Sequence, residues 1–149
     1  MRQSQAAIAV IRQEQEGRSL WLAQWNPNWG AFHFVSGHRR PEESFRECVV
    51  REIEEELELR EGDHYRVVTA KPIHLDYVDF SLRAQTETRY IMELFNVELR
   101  PSAGPLVEAN SDNLWLSVPE IHAGRTSDGR PVSATMKRLL DAIVSGITA

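Results

Sequence analysis

The sequence predicts an α/β fold, with a mixed β-sheet sandwiched between helices. Three observations lead to this prediction. Apolar, β-prone runs stand on both sides of one central, strongly helical segment, and a second helical pattern closes the chain. Amphipathic helices and half-buried strands in this order are stable when the helices cover the faces of the sheet. At 149 residues the chain is most simply one domain, residues 1–149.

The first elements are a predicted hairpin and a short third strand. Residues 5–12 and 19–25 are apolar and β-prone, and a turn that contains Gly17 joins them. Asn26-Pro27-Asn28 is a turn signal, and Ala31 to Val35 follows as a short strand. The central helix comes next, from Pro41 to about Leu57, with a proline near its first turn.

Beyond the central helix the pattern returns to strands, predicted over residues 65–70, 73–80, 88–99 and 114–118. The second and third of these are expected to pair around a polar segment. Residues 101–105 are predicted to be a loop and residues 123–131 a polar, turn-rich segment. A closing helix over residues 133–145 carries apolar side chains at helical spacing, namely Met136, Leu139, Leu140, Ile143 and Val144.

Composition narrows the class of protein and its location. The formal net charge is −5, which argues against a general nucleic-acid coat and predicts no stable nucleic-acid complex. The N-terminal apolar run is too short for a signal peptide or a membrane span. The one cysteine, Cys48, fits a reducing compartment, so a cytoplasmic protein is predicted. Fifteen arginines against two lysines suit an anionic substrate, although biased genomic composition is the commoner explanation.

Five glutamates crowd into seven positions of the central helix, from Glu52 to Glu58. At about 100° per residue, Glu52, Glu55 and Glu56 share one arc, beside an apolar arc for the core. Like charges so close repel one another, so a cation is expected beside them. Carboxylates are ligands that Mg²⁺ prefers, and phosphate oxygens of a substrate complete such sites. The alternative is an ordinary solvated acidic face.

The order of residues around these glutamates resembles the Nudix box. Gly37 is followed after five residues by Glu43, and after seven more by the run Arg51-Glu52-Ile53-Glu54-Glu55-Glu56-Leu57-Glu58-Leu59. Eight of the nine fixed positions of the box match over these 23 residues. The exception is Glu58, where the box has glycine. The chain thus resembles the Nudix hydrolases, which implies a Nudix-type α/β/α sandwich.

The resemblance implies a metal site and a reaction. Glu52, Glu55 and Glu56 correspond to the metal ligands and catalytic carboxylates, and the Gly37 carbonyl to a further ligand. The implied metal is Mg²⁺ or Mn²⁺. The implied reaction is attack of water on a nucleoside diphosphate linked to another moiety, such as a nucleotide, a nucleotide sugar or a dinucleoside polyphosphate. Family members are often dimers, so a homodimer is a possible assembly.

Four further residues take roles from the same resemblance. Glu43 and Arg51 match a pair that braces the loop against the helix. Glu108 stands where the family often recruits a further catalytic glutamate as ligand or general base, and Glu93 is an alternative for that role. The alternative for both Glu108 and Glu93 is that they are ordinary surface residues.

The loop before the helix and an aromatic cluster are candidates for substrate contacts. His38, Arg39 and Arg40 could meet a phosphate, and they are the predicted substrate-binding residues. Their alternative is a solvated basic loop that offsets the acidic helix. Four aromatic residues precede the box where the family often contacts a nucleobase, although core packing is the commoner role of such side chains: Trp21, Trp25, Trp29 and Phe32.

Glu58 supplies one structural expectation and one functional alternative. The usual glycine ends the helix in a left-handed conformation, which costs another residue about 1 kcal/mol or more. The helix is therefore expected to continue and to stop near Gly62. Together with Val35-Ser36, where the family often has Pro-Gly, this mismatch keeps a second class of function open. That class is a non-catalytic, Nudix-like nucleotide-binding or sensing module.

Overall fold

The predicted mixed sheet between helices is confirmed. The computed structural model describes the backbone of residues 1–148 and the side chains of residues 1–145. The strands are β1 Arg2–Gln15, β2 Arg18–Asn26, β3 Ala31–His33, β4 Val35–His38, β5 Tyr65–Val67, β6 Ile73–Ser81, β7 Thr86–Leu99 and β8 Asn113–Ser117. The helices are α1 Phe45–Leu57, α2 Gly104–Ala109, α3 Val118–Ala123 and α4 Ala134–Thr148, and a 3₁₀ turn spans Pro101–Ala103.

Strand β1 organises the sheet. Its first half lies between β4, which runs antiparallel to it, and β7, which runs parallel. Its second half pairs with β2 in the predicted hairpin, and β2 carries β3 and β8. The predicted pairing of β6 with β7 is also present, from Ile73 opposite Leu94 to Ser81 opposite Thr86. The parallel β1–β7 contact makes the sheet mixed, and it brings β4 and β7 to either side of one strand.

Both faces of the sheet are buried, because alternate residues along β1 belong to two different cores. Ala7 and Ala9 belong to a core beneath α1 and α2, whereas Ile8 and Val10 belong to a core beneath α3 and α4. Successive strand residues point to opposite faces, so a strand with helices on both sides is apolar throughout. The arrangement fixes α1 on the face of the sheet formed by β4, β1 and β7. No helix within the described residues is long and apolar enough to cross a membrane.

Helix α1 begins four residues later than predicted. Pro41 lies in a turn before the helix, and Ser44 is the N-cap. The Ser44 hydroxyl accepts a hydrogen bond from the backbone N–H of Glu47, while the Glu47 carboxylate accepts one from the N–H of Ser44. This capping box satisfies two backbone donors that a start at Pro41 would leave open. The serine and glutamate three positions apart were a better start signal than the proline.

The expectation that α1 continues to Gly62 is wrong. The helix ends at Leu57, and Glu58 itself takes the left-handed conformation, with φ of 57°. Leu57 and Leu59 are both fully buried. On a continuous helix they would lie about 200° apart, and one of them would face solvent. Burying that leucine is worth about 1.5–3 kcal/mol, which offsets the cost of about 1–2 kcal/mol at Glu58.

The left-handed Glu58 leads to a prediction about stability. Its side chain is exposed, so Glu58→Gly removes backbone strain without losing packing. We expect the free energy of unfolding to rise by about 0.5–1 kcal/mol, measured by urea denaturation. The matched control is Glu54→Gly, one turn earlier and also exposed, which should lower it by about 1 kcal/mol. A loss of stability in both variants would contradict a strained cap.

Strand β5 ends at Val67 instead of at residue 70, and three other segments also differ from the prediction. The segment 101–105 is the start of a helical stretch instead of a loop, because prolines fit the first turn of a helix and Ala103 is buried beneath it. Helix α3 was missed, although Ser117 and Glu120 form a second capping box. The predicted strand from Ala31 to Val35 is divided at Phe34 into β3 and β4, which pair with different partners.

Candidate functional site

The side chain of Arg51 joins α1 to the loop that precedes it. Its guanidinium donates two hydrogen bonds to the Glu43 carboxylate, from Nη2 to Oε1 at 2.6 Å and from Nε to Oε2 at 3.0 Å. Nη2 also donates to the backbone carbonyl of His38 at 3.0 Å. These hydrogen bonds from Arg51 lower the pKa of Glu43 to about 2. Glu43 is therefore an anion near neutral pH, and the fixed pair sets the position of the loop.

Glu52 projects from α1 onto β4. Only 8% of the residue is exposed, and its Oε1 accepts a hydrogen bond from Arg51 Nη1 at 2.8 Å. Burial raises the pKa of Glu52, and the charge of Arg51 offsets part of that rise. A Cβ atom on Gly37 would lie under 3.0 Å from the Glu52 carboxylate, so this approach requires a glycine. The Gly37 carbonyl faces the same helix, at 3.5 Å from Cys48 Sγ.

Glu55 and Glu56 lie on the exposed continuation of the same helix face. Glu55 Oε2 is 3.2 Å from Arg51 Nη1, and its Oε1 is 3.7 Å from Nη2 of Arg40. The Glu56 side chain is exposed to solvent, while its backbone carbonyl accepts a hydrogen bond from Gln24. The carboxylates predicted to act together thus share one face of α1, beginning at the buried Glu52.

Arg51 joins two of these carboxylates, Glu52 and Glu55. Among the residues that the structure describes, no three side chains of metal-binding type are close enough to hold a metal as they stand. The donors nevertheless suit Mg²⁺, since Glu52, Glu55, Glu56 and the Gly37 carbonyl offer only oxygen atoms. Glu55 and Glu56 are exposed, so the residues fit a divalent cation after a change of side-chain conformation.

The three predicted phosphate contacts lie in different environments. Arg39 is committed to the protein, because it donates to the side chain of Gln5 at 2.8 Å and to the carbonyl of Glu43 at 2.8 Å. Arg40 is exposed beside the acidic face, and its guanidinium can reach a ligand there. His38 is exposed too, and its backbone carbonyl already accepts a hydrogen bond from Arg51. Arg40 is the best placed of the three.

The two candidates for a further catalytic glutamate lie near different ends of α1. Glu108 is exposed on α2, and this segment meets the end of α1 where Asn110 Nδ2 lies 3.4 Å from the Glu56 carbonyl. Glu93 lies on β7, opposite His74 of β6, and its Oε2 is 3.2 Å from His74 Nδ1. Glu93 lines a cleft that Glu43 also lines.

The aromatic cluster before the box is mostly core. Trp21 and Phe32 are buried, and Trp25 packs edge-on against Phe32 with ring centroids 5.2 Å apart. Trp29 differs, since 45% of it is exposed and its ring lies 4.5 Å from the ring of His33. Of these four aromatic residues, Trp29 is the one that offers an open face to a planar ligand.

His33 is a residue that sequence reasoning did not single out. It is buried at the end of β3, and its Nδ1 lies 2.8 Å from the hydroxyl of Ser133, one hundred positions later in the chain. Burial lowers its pKa from 6.5 to about 3, so the ring is neutral near pH 7. Its place within the apolar run from Ala31 to Val35 was the available signal, but the partner could not be read from the sequence.

His33 predicts a loss of stability in acid. Above about pH 6.5 the ring is neutral in both states; between pH 6.5 and about 3 only the unfolded chain binds the proton. The free energy of unfolding should therefore fall by about 1.4 kcal/mol per pH unit in that window because of this residue. Urea denaturation from pH 7 to pH 4 should give a shallower pH dependence for His33→Asn than for the wild type. Parallel curves would contradict this assignment.

Comparison with known proteins places this arrangement in a family. The family model described as NUDIX domain matches residues 2–137. The chain belongs to the Nudix family. The Gly37-to-Leu59 segment, with the buried Glu52 and the Arg51–Glu43 pair, is therefore its Nudix box. Comparison with curated proteins gives no match to this sequence.

Solved structures share the fold of this Nudix protein at low sequence identity. The C. elegans Ap4A hydrolase is 19% identical, with 99% of each chain covered and a TM-score of 0.63. The NUDIX domain of Shewanella oneidensis NrtR, solved with ADP ribose, is 13% identical, covering 99% of this chain and 90% of that one, with a TM-score of 0.60. NrtR solved with a 27mer DNA is 13% identical, covering 96% of this chain and 61% of that one, with a TM-score of 0.64. The predicted family and fold are confirmed, and the family match supports a Nudix hydrolase that acts on phosphoanhydride bonds.

Proposed function

We propose that this protein is a Mg²⁺- or Mn²⁺-dependent pyrophosphohydrolase that cleaves a nucleoside diphosphate linked to another moiety. The proposal rests on the buried position of the Glu52 carboxylate against Gly37. This carboxylate lies at the head of a face that continues into Glu55 and Glu56. Burying a carboxylate is costly unless it is paired, and Arg51 is shared with two other glutamates. A divalent cation would complete this site.

Each residue of the box has a distinct role in the proposal. Glu52, Glu55 and Glu56 would hold the cation, with the Gly37 carbonyl as a further ligand. When bound, a divalent cation neutralises the charge of a diphosphate and lowers the pKa of water. Arg51 keeps Glu52 in place and would exchange its contact with Glu55 for one with solvent.

The remaining roles belong to residues around the acidic face. Arg40, at the rim of this face, would donate to a non-bridging phosphate oxygen. Water adds to one phosphorus, the bridging oxygen leaves with the other phosphate, and a carboxylate takes the proton of the water. Glu52 and Glu108 are the proposed acceptors of that proton, since a general base must lie within hydrogen-bond reach of the water.

A non-catalytic nucleotide sensor is the second candidate. Glu58 at the position of the box glycine, and Val35-Ser36 where the family often has Pro-Gly, favour this candidate. The NrtR neighbour indicates that this fold also occurs in a protein that binds ADP ribose and DNA. In that case the protein would bind nucleotides without a metal and without turnover.

Turnover of a substrate panel separates the two candidates. The protein is incubated with nucleoside triphosphates, nucleotide sugars and dinucleoside polyphosphates, with Mg²⁺, with Mn²⁺ or with a chelator, and the products are separated by chromatography. Hydrolysis that requires the metal supports the proposal. Binding by calorimetry that is equal with and without metal, in the absence of any turnover, supports the sensor and refutes the enzyme.

A further inference from the structure

Two side-chain amides connect the end of α1 with α2. Gln24 Nε2 donates to the backbone carbonyl of Glu56 at 2.9 Å and to Asn113 Oδ1 at 3.1 Å. Asn113 Nδ2 in turn donates to the backbone carbonyl of Val107 at 3.0 Å. We call these two side chains, Gln24 and Asn113, the amide relay. The relay joins Glu56, a proposed metal ligand, to the peptide bond that precedes Glu108.

The two ends of the relay fix the orientation of both amides. A backbone carbonyl only accepts hydrogen bonds, so the nitrogen of Gln24 must face Glu56 and the nitrogen of Asn113 must face Val107. Asn113 therefore turns its oxygen toward Gln24, whose nitrogen carries two hydrogens, one for each acceptor. A carboxylate or an apolar side chain at position 24 could not donate to both partners.

The carbonyl of Glu56 is open to this contact because α1 ends one residue later. The last carbonyls of a helix have no donor within the helix. The Cα atoms of Gln24 on β2 and Asn113 on β8 lie opposite each other, so both side chains point to the same face of the sheet. Asn110 Nδ2 also approaches the Glu56 carbonyl, at 3.4 Å. Half-buried amides thus hold the segment between α2 and β8 against the end of α1.

This connection bears on the proposed reaction because Glu56 and Glu108 lie on separate elements. Glu108 is exposed on α2, which is only 6 residues long, so its position depends on how the backbone of that short helix is held. A general base must lie within hydrogen-bond reach of the attacking water. A displacement of about 1 Å at a reacting group can cost about 100-fold in rate.

We propose that Gln24 and Asn113 are positioning residues, which set Glu108 relative to the metal ligands by holding the Val107 and Glu56 carbonyls together. The inference rests on the proposed function and adds to it two residues that lie outside the Nudix box. The relay acts through Glu108, and neither of its side chains needs to touch the substrate.

Two variants cut the relay at different places, and one control leaves it intact. Gln24→Met keeps the length of the side chain and removes its donors, whereas Asn113→Leu removes the link to Val107. The control is Gln15→Met, the same change at an exposed residue at the end of β1. Both kcat and KM are measured with Mg²⁺ and the compound of the substrate panel that the wild type hydrolyses fastest. Thermal denaturation checks that each variant is folded.

Each relay variant should lower kcat by about 10- to 100-fold and change KM by less than about twofold, because a carboxylate and not the substrate is displaced. Gln15→Met should keep both values. The decisive measurement is Gln24→Met in a Glu108→Gln background, where it should have no further effect on kcat. A residue that only stabilises the fold would lower kcat by the same factor with and without Glu108. That result overturns the inference, and so does an unchanged kcat in both relay variants or in Glu108→Gln alone.

Failure of the proposed function gives a different result. If the wild type hydrolyses no compound of the panel, hydrogen exchange followed by mass spectrometry tests the relay without turnover. Backbone amides of residues 104–113 should exchange about tenfold faster in Gln24→Met and Asn113→Leu than in the wild type and Gln15→Met. Equal exchange in all four proteins overturns the inference, because the relay would then not hold this segment in place.

Discussion

Replacing Glu56 with glutamine should reduce metal-dependent hydrolysis by about 100- to 1,000-fold, and Glu55→Gln should have an effect of the same order. The substitution keeps the size of the side chain and removes the charge that holds a divalent cation. Loss of a cation that stabilises developing charge costs several kcal/mol of transition-state stabilisation, which is two or three decades of rate. Both side chains are exposed, so stability should change little.

The measurements are the rate of hydrolysis at saturating Mg²⁺ and the Mg²⁺ affinity by calorimetry. Glu54→Gln is the matched control, because Glu54 is an exposed carboxylate on the same helix but outside the arc of Glu52, Glu55 and Glu56. It should keep the rate and the affinity of the wild type. Equal effects of all three substitutions would indicate a general dependence on the negative charge of α1 and would refute a defined ligand set.

The central helix was predictable because two independent patterns agree on it. Helical periodicity separates the carboxylate arc from the apolar arc, and the order of residues from Gly37 to Leu59 matches the box. The structure places Ile53 and Leu59 in the core and Glu54 in solvent, as that order implies. Local sequence determines these features, since a helix of regular pitch fixes which side chains share a face.

The boundaries of the helix were less predictable, because tertiary packing decides them. The strain at Glu58 was read correctly, but the burial of Leu57 and Leu59 outweighs it. The sequence also did not predict that Arg51 contacts three carboxylates, because the motif indicates only one partner, Glu43. Likewise, β1 lies between β4 and β7, and no local sequence pattern indicates this pairing.

Gly37→Ala should separate the geometry of the site from the stability of the fold. The backbone at Gly37 does not have a positive φ, so alanine is compatible with it. The added methyl group meets the Glu52 carboxylate under 3.0 Å, and the end of that flexible side chain must move. We expect the free energy of unfolding to fall by about 1–2 kcal/mol and hydrolysis to fall by about 100-fold, since the displaced carboxylate loses Arg51 and the proposed metal site.

A double-mutant cycle with Glu52→Ala identifies the cause. When Glu52 is already truncated, the methyl group of Gly37→Ala meets no carboxylate, so the second substitution should leave the unfolding free energy and the residual rate unchanged. The coupling energy should then equal the whole stability effect of Gly37→Ala in the wild type. Gly104→Ala is the matched control, because Gly104 has helical backbone angles and open space where a Cβ would stand. Additive effects in the cycle would mean that Gly37 acts through the backbone of β4, and the seating of Glu52 would no longer explain why the box begins with glycine.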